Sequence, residues 1–214
     1  MNDEKAVKLS AALLAGTMVI GAGTPVFAAG NGETTINKDG TQTISGGTQA
    51  SIETKGQLGE IDNTNPGEVI PEGSDKWINV TLPTAVVFNT KADDATVVES
   101  PTNYKVTNNS GRGVRVTLTE FVPKGDGHNA ALNVLNMKVG STVVPLIENS
   151  KVNGTINTKL ADLDAVKGKT TSFTYGFTGK STGSKDQKIK VAYDMKLKFE
   201  SIGTNGQVGP GETK

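Results

Sequence analysis

The chain has 214 residues, with 22 basic and 22 acidic side chains, one histidine, one tryptophan and no cysteine. The lack of cysteine excludes disulfides, zinc–thiolate sites and thiolate nucleophiles. The even charge balance argues against a nucleic-acid binder, which carries a basic excess.

The first 28 residues read as a secretory leader. Lys5 and Lys8 form a positive start, an apolar run from Leu9 to Gly23 follows, and Pro25 ends it ahead of Val26-Phe27-Ala28. The run falls short of the roughly 20 residues that cross a bilayer. Cleavage is expected after Ala28. The alternative, after Ala29, would place bulky Phe27 at the −3 position. Removing the leader takes two lysines and two acids, so the charge stays balanced. The expected localisation is extracellular, with no membrane contact after cleavage.

Residues 29–75 are rich in Thr, Gly, Asn and acids, and poor in large apolar side chains. Such a stretch buries too little to offset its ordering entropy, so it reads as a polar arm or linker. Within it, "TINKDGTQTI" suits a hairpin with Asp39-Gly40 at the turn.

From residue 76 the texture changes, and a β domain is expected over 76–202. "WINVTLPTAVVFNT" places Ile78, Val80 and Leu82 on one face, and Pro83 interrupts the strand. "NYKVTNNSGRGVRVTLTEF" reads as strand, turn, strand, with Val114, Val116 and Leu118 inward. "ALNVLNMKVGSTVVPLIE" supplies two more strands around Gly140, and "TSFTYGFTG" aligns Phe173, Tyr175 and Phe177. One short helix is expected in "NTKLADLDAVKGK", from Leu160, Leu163 and Val166 with Gly168 as its stop.

The last strand, "KIKVAYDMKLKFE", alternates strictly. Ile189, Val191, Tyr193, Met195, Leu197 and Phe199 lie on one face, with four lysines among the residues of the other. Fully extended, it would span roughly 40 Å. The simplest account is a core strand with one solvated face. A second account is that it pairs with another subunit. Residues 203–214 read as a flexible, Gly-rich tail.

About seven or eight short strands separated by turn residues indicate an all-β fold, an antiparallel sandwich of Ig-like or jelly-roll-like type. No βαβ pattern suggests a parallel sheet.

No catalytic set emerges. His128 lies in the turn-like "PKGDGHNA", and no G-x-S-x-G elbow supplies a serine for a triad. Glu60 with Asp62, and Asp93 with Asp94, read as solvated loop acids without calcium-loop spacing. The G-x-G of "SGRGVR" precedes a strand and suits a hairpin turn better than a phosphate loop. Asn89, Asn136 and Lys138 are candidates for a Lys–Asn isopeptide bond, but Asn136 and Lys138 fall on a polar face, which argues against one. No catalytic residue, metal ligand or cofactor is expected. Trp77 is the one indole that could offer a sugar a stacking platform.

At "VTLPTAVVFNT", "SPTNYKVTNNSGRGVRVTLTEF" and "VAYDMKLKFE" the chain resembles secreted Gram-positive surface β-sandwich proteins. These are similar in style to WxL-type wall-associated domains and to the camelysin/TasA biofilm-fibre group. The resemblance covers roughly Trp77 to Ile202. It implies a non-enzymatic cell-surface protein, within a multi-protein assembly. Trp77-Ile78-Asn79 is not a W-x-L motif, and no functional residue is carried across. The expected function is a structural or adhesive subunit of a cell-surface or biofilm-matrix assembly. Its partners would be other proteins or further copies of itself. The alternative is a module binding wall polysaccharide or host glycan.

Overall fold

A computed structural model describes residues 33–36, 42–47, 52 and 54–209. The leader and the cleavage positions Ala28 and Ala29 lie outside the described residues. The chain divides into two compact units between Ile52 and Glu53.

In the first unit, β1 (Glu33–Ile36) and β2 (Gln42–Ser45) pair antiparallel, with Thr34 opposite Ile44. This is the expected hairpin. Its turn falls among residues outside the description.

The second unit begins at Glu53, well ahead of the expected boundary at residue 76. The segment read as a linker is anchored instead. A 3-10 turn, Asp75–Trp77, ends in a fully buried Trp77. Ser74 caps this turn by accepting the Lys76 amide. Eleven strands follow: β3 (Val80–Thr81), β4 (Asn89–Thr90), β5 (Val97–Glu99), β6 (Tyr104–Asn108), β7 (Gly113–Pro123), β8 (Leu132–Val139), β9 (Thr142–Glu148), β10 (Lys151–Val152), β11 (Thr155–Leu163), β12 (Ser172–Ser181) and β13 (Tyr193–Ile202). Eight of them form one curled antiparallel sheet along β10-β9-β8-β12-β5-β4, with β6 also on β12 and β3 on β6. The other three form the antiparallel sheet β11-β7-β13.

The core lies between these sheets. Val114, Val116 and Leu118 of β7 face Leu135 and Met137 of β8, Leu146 and Ile147 of β9, and Tyr175 and Phe177 of β12 within one buried cluster. Each fully buried aliphatic contributes about 1.5–3 kcal/mol. The alternation read in β7, β8 and β12 therefore appears as expected. Close approach of the neighbouring strand in the same sheet explains Gly179 of β12, where a Cβ would collide with the Val134 carbonyl oxygen on β8.

Four expectations change. The last strand begins at Tyr193 rather than at Lys188 and runs to Ile202. The short helix is absent; "NTKLADL" is strand β11, paired with β7. Its register slips between Thr155 and Thr158 and again between Lys159 and Ala161. Each irregularity lets one extra residue in and resets the alternation. Ile156, Leu160 and Leu163 thus share the buried side at spacings of four and three, which mimic a helix. Leu82 is largely exposed, because β3 ends at Thr81 ahead of Pro83. The expected flexible tail is folded through Gly209. Gly203 N–H donates to Gln207 O, Gly209 N–H donates to Ser201 O, and Ile202 faces Val208.

Candidate functional site

Strand β13 stands at the edge of the three-stranded sheet, with β7 as its one strand partner among the described residues. Its backbone polarity follows from the bonds it makes. Lys196 O accepts from the Thr119 hydroxyl on β7. Just before the strand, Ala192 exchanges bonds with Gly127 and Lys124, beyond the end of β7. Even-numbered residues therefore turn their amide and carbonyl groups towards β7. Odd-numbered ones turn theirs to the open edge, by the two-residue period of an antiparallel ladder. The tail takes the Ser201 carbonyl at the far end of that edge.

Side chains follow the same period. Val191, Tyr193, Met195, Leu197 and Phe199 pack against the core but stay only half-buried. Asp194, Lys196 and Lys198 are exposed on the other face. Lys196 bridges Glu120 at 2.8 Å, and Lys198 bridges Glu200 at 2.8 Å. The edge thus offers a row of backbone donors and acceptors beside a continuous apolar strip. This is the chemistry of strand addition: backbone bonds supply affinity and alternate side chains supply specificity. Lysines on the outer face are one device that discourages indiscriminate pairing.

His128 helps set the start of the strand. Its Nε2 lies 2.9 Å from Ser150 O and its Nδ1 lies 2.8 Å from the Tyr193 hydroxyl. A carbonyl only accepts, so in the neutral ring Nε2 donates and Nδ1 accepts the Tyr193 proton. Tyr193 also stacks on Phe121, with ring centroids 4.7 Å apart. Burial pushes the Tyr193 phenol up to about 12. His128 is thus a half-buried strut, rather than the exposed turn residue expected.

Trp77 does not present a sugar platform; the structure corrects that expectation. Its exposure is 0%, its Nε1–H donates to Pro71 O at 3.2 Å, and the Arg112 guanidinium lies 4.2 Å from the ring centroid. Arg112 in turn grips both Glu72 oxygens through Nε (3.0 and 3.1 Å), reaches Glu72 Oε1 through Nη2 (2.6 Å), and donates to Pro66 O (2.8 Å). Glu72 also accepts the Thr204 amide, so one carboxylate joins the anchored segment, the β6–β7 turn and the tail. Within the turn, Asn108 donates to Arg112 O and Asp164 O and accepts the Ser110 amide. Gly111 is required there, because a Cβ would lie 2.8 Å from Asn65 C and Pro66 N.

Two of the other singled-out acids are occupied locally. Asp62 and Asp94 each accept the amide and hydroxyl of a threonine two residues on, which holds both carboxyls below their ordinary range. Asn89 and Lys138 are exposed and Asn136 is half-buried. Among the described residues no three His, Asp or Glu side chains are grouped to hold a metal ion. A cleft of about 390 Å³ is lined by Arg112, Asp162, Asp164 and Thr204, among others. Its carboxylates are engaged: Asp164 accepts the Thr170 amide, while Asp162 takes Arg115 at 2.7 and 2.9 Å and Lys159 at 3.1 Å.

The Arg115 guanidinium, helped by Lys159, holds Asp162 down to about 2 against the opposing effect of burial. A depressed carboxylate contributes stability above its unfolded value, about 3.9, and loses it as pH falls through its folded value. Asp162→Asn is therefore expected to flatten the acid limb of the stability curve between about pH 4 and pH 2. The effect should be small, because the pair is a third exposed. Denaturant midpoints of both proteins across that window would check it.

Comparisons of the chain with protein-family models, with curated proteins and with solved structures each found no match.

Proposed function

We propose that this protein is a non-enzymatic, extracellular structural or adhesive subunit of a cell-surface or biofilm-matrix assembly of the Gram-positive kind. The observation that carries the reading is the open edge of β13, where the odd-numbered backbone groups from Tyr193 to Phe199, unpaired among the described residues, adjoin a half-buried apolar strip. The secretory leader and the resemblance to surface sandwich proteins point the same way. The side chains that most often do chemistry are committed to structural bonds: His128 to Ser150 and Tyr193, Glu72 to Arg112 and Thr204, Asp162 to Arg115. The partners are other proteins or further copies of this chain.

Sedimentation velocity tests the reading on residues 29–214, alongside a chain starting at Glu53. The second start point follows the boundary between the two units and keeps Pro71, Glu72 and Trp77 in place. The expected result is an oligomer that grows with concentration. Loss of growth in the shorter chain would give the pairing role to the N-terminal arm, and growth in both would give it to the sandwich. Compact monomers at every concentration in both forms would overturn self-assembly.

A further inference from the structure

We infer that β13 pairs with β13 of a second copy of this chain, antiparallel, about a two-fold axis through Met195. This inference rests on the assembly reading above and specifies its partner, surface and register.

The hydrogen-bond pattern comes first. Odd-numbered residues from Tyr193 to Phe199 direct their amide and carbonyl groups to the open edge, and among the described residues the tail takes that edge at Ser201. An antiparallel partner centred on an odd-numbered residue meets each of these groups with one of its own. A two-fold contact uses the same surface twice, so the strand must complement itself.

Charge then selects the centre. With the axis at Met195, Asp194 faces Lys196 of the partner subunit and, where the chain leads into β13, Lys190 comes level with Glu200 of the partner subunit. On the opposite face Tyr193 meets Leu197 of the partner subunit, Val191 meets Phe199 of the partner subunit, and the two Met195 side chains meet each other. Every charged pair is opposite in sign, and each apolar residue of the strip from Val191 to Phe199 meets an apolar one. Other centres fail. At Leu197, Asp194 would face Glu200 and Lys196 would face Lys198. At Tyr193, Lys190 would face Lys196. At Asp194, Lys196 or Lys198 the charge would face its own copy. Like charges directly opposite are destabilising. A centre at Phe199 needs the Ser201 carbonyl, which Gly209 already holds. Centres earlier in the chain meet the turn at Lys185–Asp186.

Two further facts fit this register. Asp194 and Lys190 make no ion pair within the described chain, and they are the charges that gain partners across the axis. The half-exposed strip from Val191 to Phe199 gains the cover that the eight-stranded sheet does not supply. A two-fold contact closes on itself. Growth of a longer assembly would therefore need a second, different surface.

Residue-resolved amide exchange on the full chain at low and high concentration tests the pairing. The amides of Tyr193, Met195, Leu197 and Phe199 are expected to slow by about tenfold or more as the dimer forms. Those of Lys196 and Lys198, turned towards β7, should change little. Register is read by mixing Asp194→Cys chains with Lys196→Cys chains under oxidation. In the inferred register these positions lie directly opposite at a non-hydrogen-bonded pair, with Cα atoms about 4.5 Å apart, within disulfide reach. Each lies diagonal to its own copy, about 7–8 Å away. Cross-links between the two variants should therefore far exceed self-links. Oligomers that form without slower exchange at the odd-numbered amides, or with self-links as abundant as mixed ones, would overturn the pairing and leave the assembly reading standing. A chain that stays monomeric throughout would overturn the pairing and self-assembly together.

Discussion

Trp77→Ala is expected to lower the unfolding free energy by about 3–5 kcal/mol, the range for deleting a large buried aromatic. The ring is fully buried at the end of the 3-10 turn, with one face against Arg112 and its N–H on Pro71 O. Truncation leaves a cavity, an unpaired carbonyl and a guanidinium without its π partner. The denaturant midpoint, at unchanged slope, is the measurement. A loss below about 1 kcal/mol would mean that the site collapses freely and that the Pro66–Trp77 segment is not a structural anchor. The unaltered protein separates anchoring from glycan recognition, because its one indole is buried and should not change its fluorescence when sugars are added.

Arg112→Ala should cost about 3–5 kcal/mol, as when one partner is removed from a buried ion pair. The arginine side chain is 9% exposed and Glu72 is 31% exposed, so water recovers part of the penalty and the lower end of the range is expected. The loss comes from several groups at once: both Glu72 oxygens, Pro66 O and the Trp77 face. Arg112→Lys should restore little, because an ammonium cannot reproduce the fork that holds Glu72 and Pro66 together. Arg112 and Trp77 are in contact, so the double variant should lose less than the two single losses combined. Strict additivity in that cycle would show that the guanidinium–indole contact contributes nothing.

How far each element could be read depended on the range of the interactions that define it. Val114, Val116 and Leu118, or Leu135, Met137 and Val139, report their burial through neighbours two residues away. A period of two is visible in any window of six. The hairpin in "TINKDGTQTI" was legible for the same reason. Strand β11 was misread because two register slips move its apolar residues to helical spacing, and nothing local distinguishes a bulged strand from a short amphipathic turn. The anchored segment before Lys76 was misread for the opposite reason. Its composition is that of a linker, but one carboxylate, Glu72, finds a guanidinium forty residues on and an amide 132 residues on. No pattern of neighbours encodes that meeting.

The candidate edge divides in the same way. The alternation of "KIKVAYDMKLKFE" announces one apolar and one charged face, and the sequence alone was enough for that. It was enough also for the all-β class, and for the absence of thiol chemistry in a chain without cysteine. Whether the strand lies in the middle of a sheet or at its edge depends on which strands close on β7, and that was decided by long-range packing. The same packing left the apolar strip half-covered, turned the tail back onto Ser201 and buried Trp77. The physical reason is one of scale. Side-chain direction alternates with the backbone and is local, whereas a free edge is defined by the strands that do not reach it, which only the folded chain can decide.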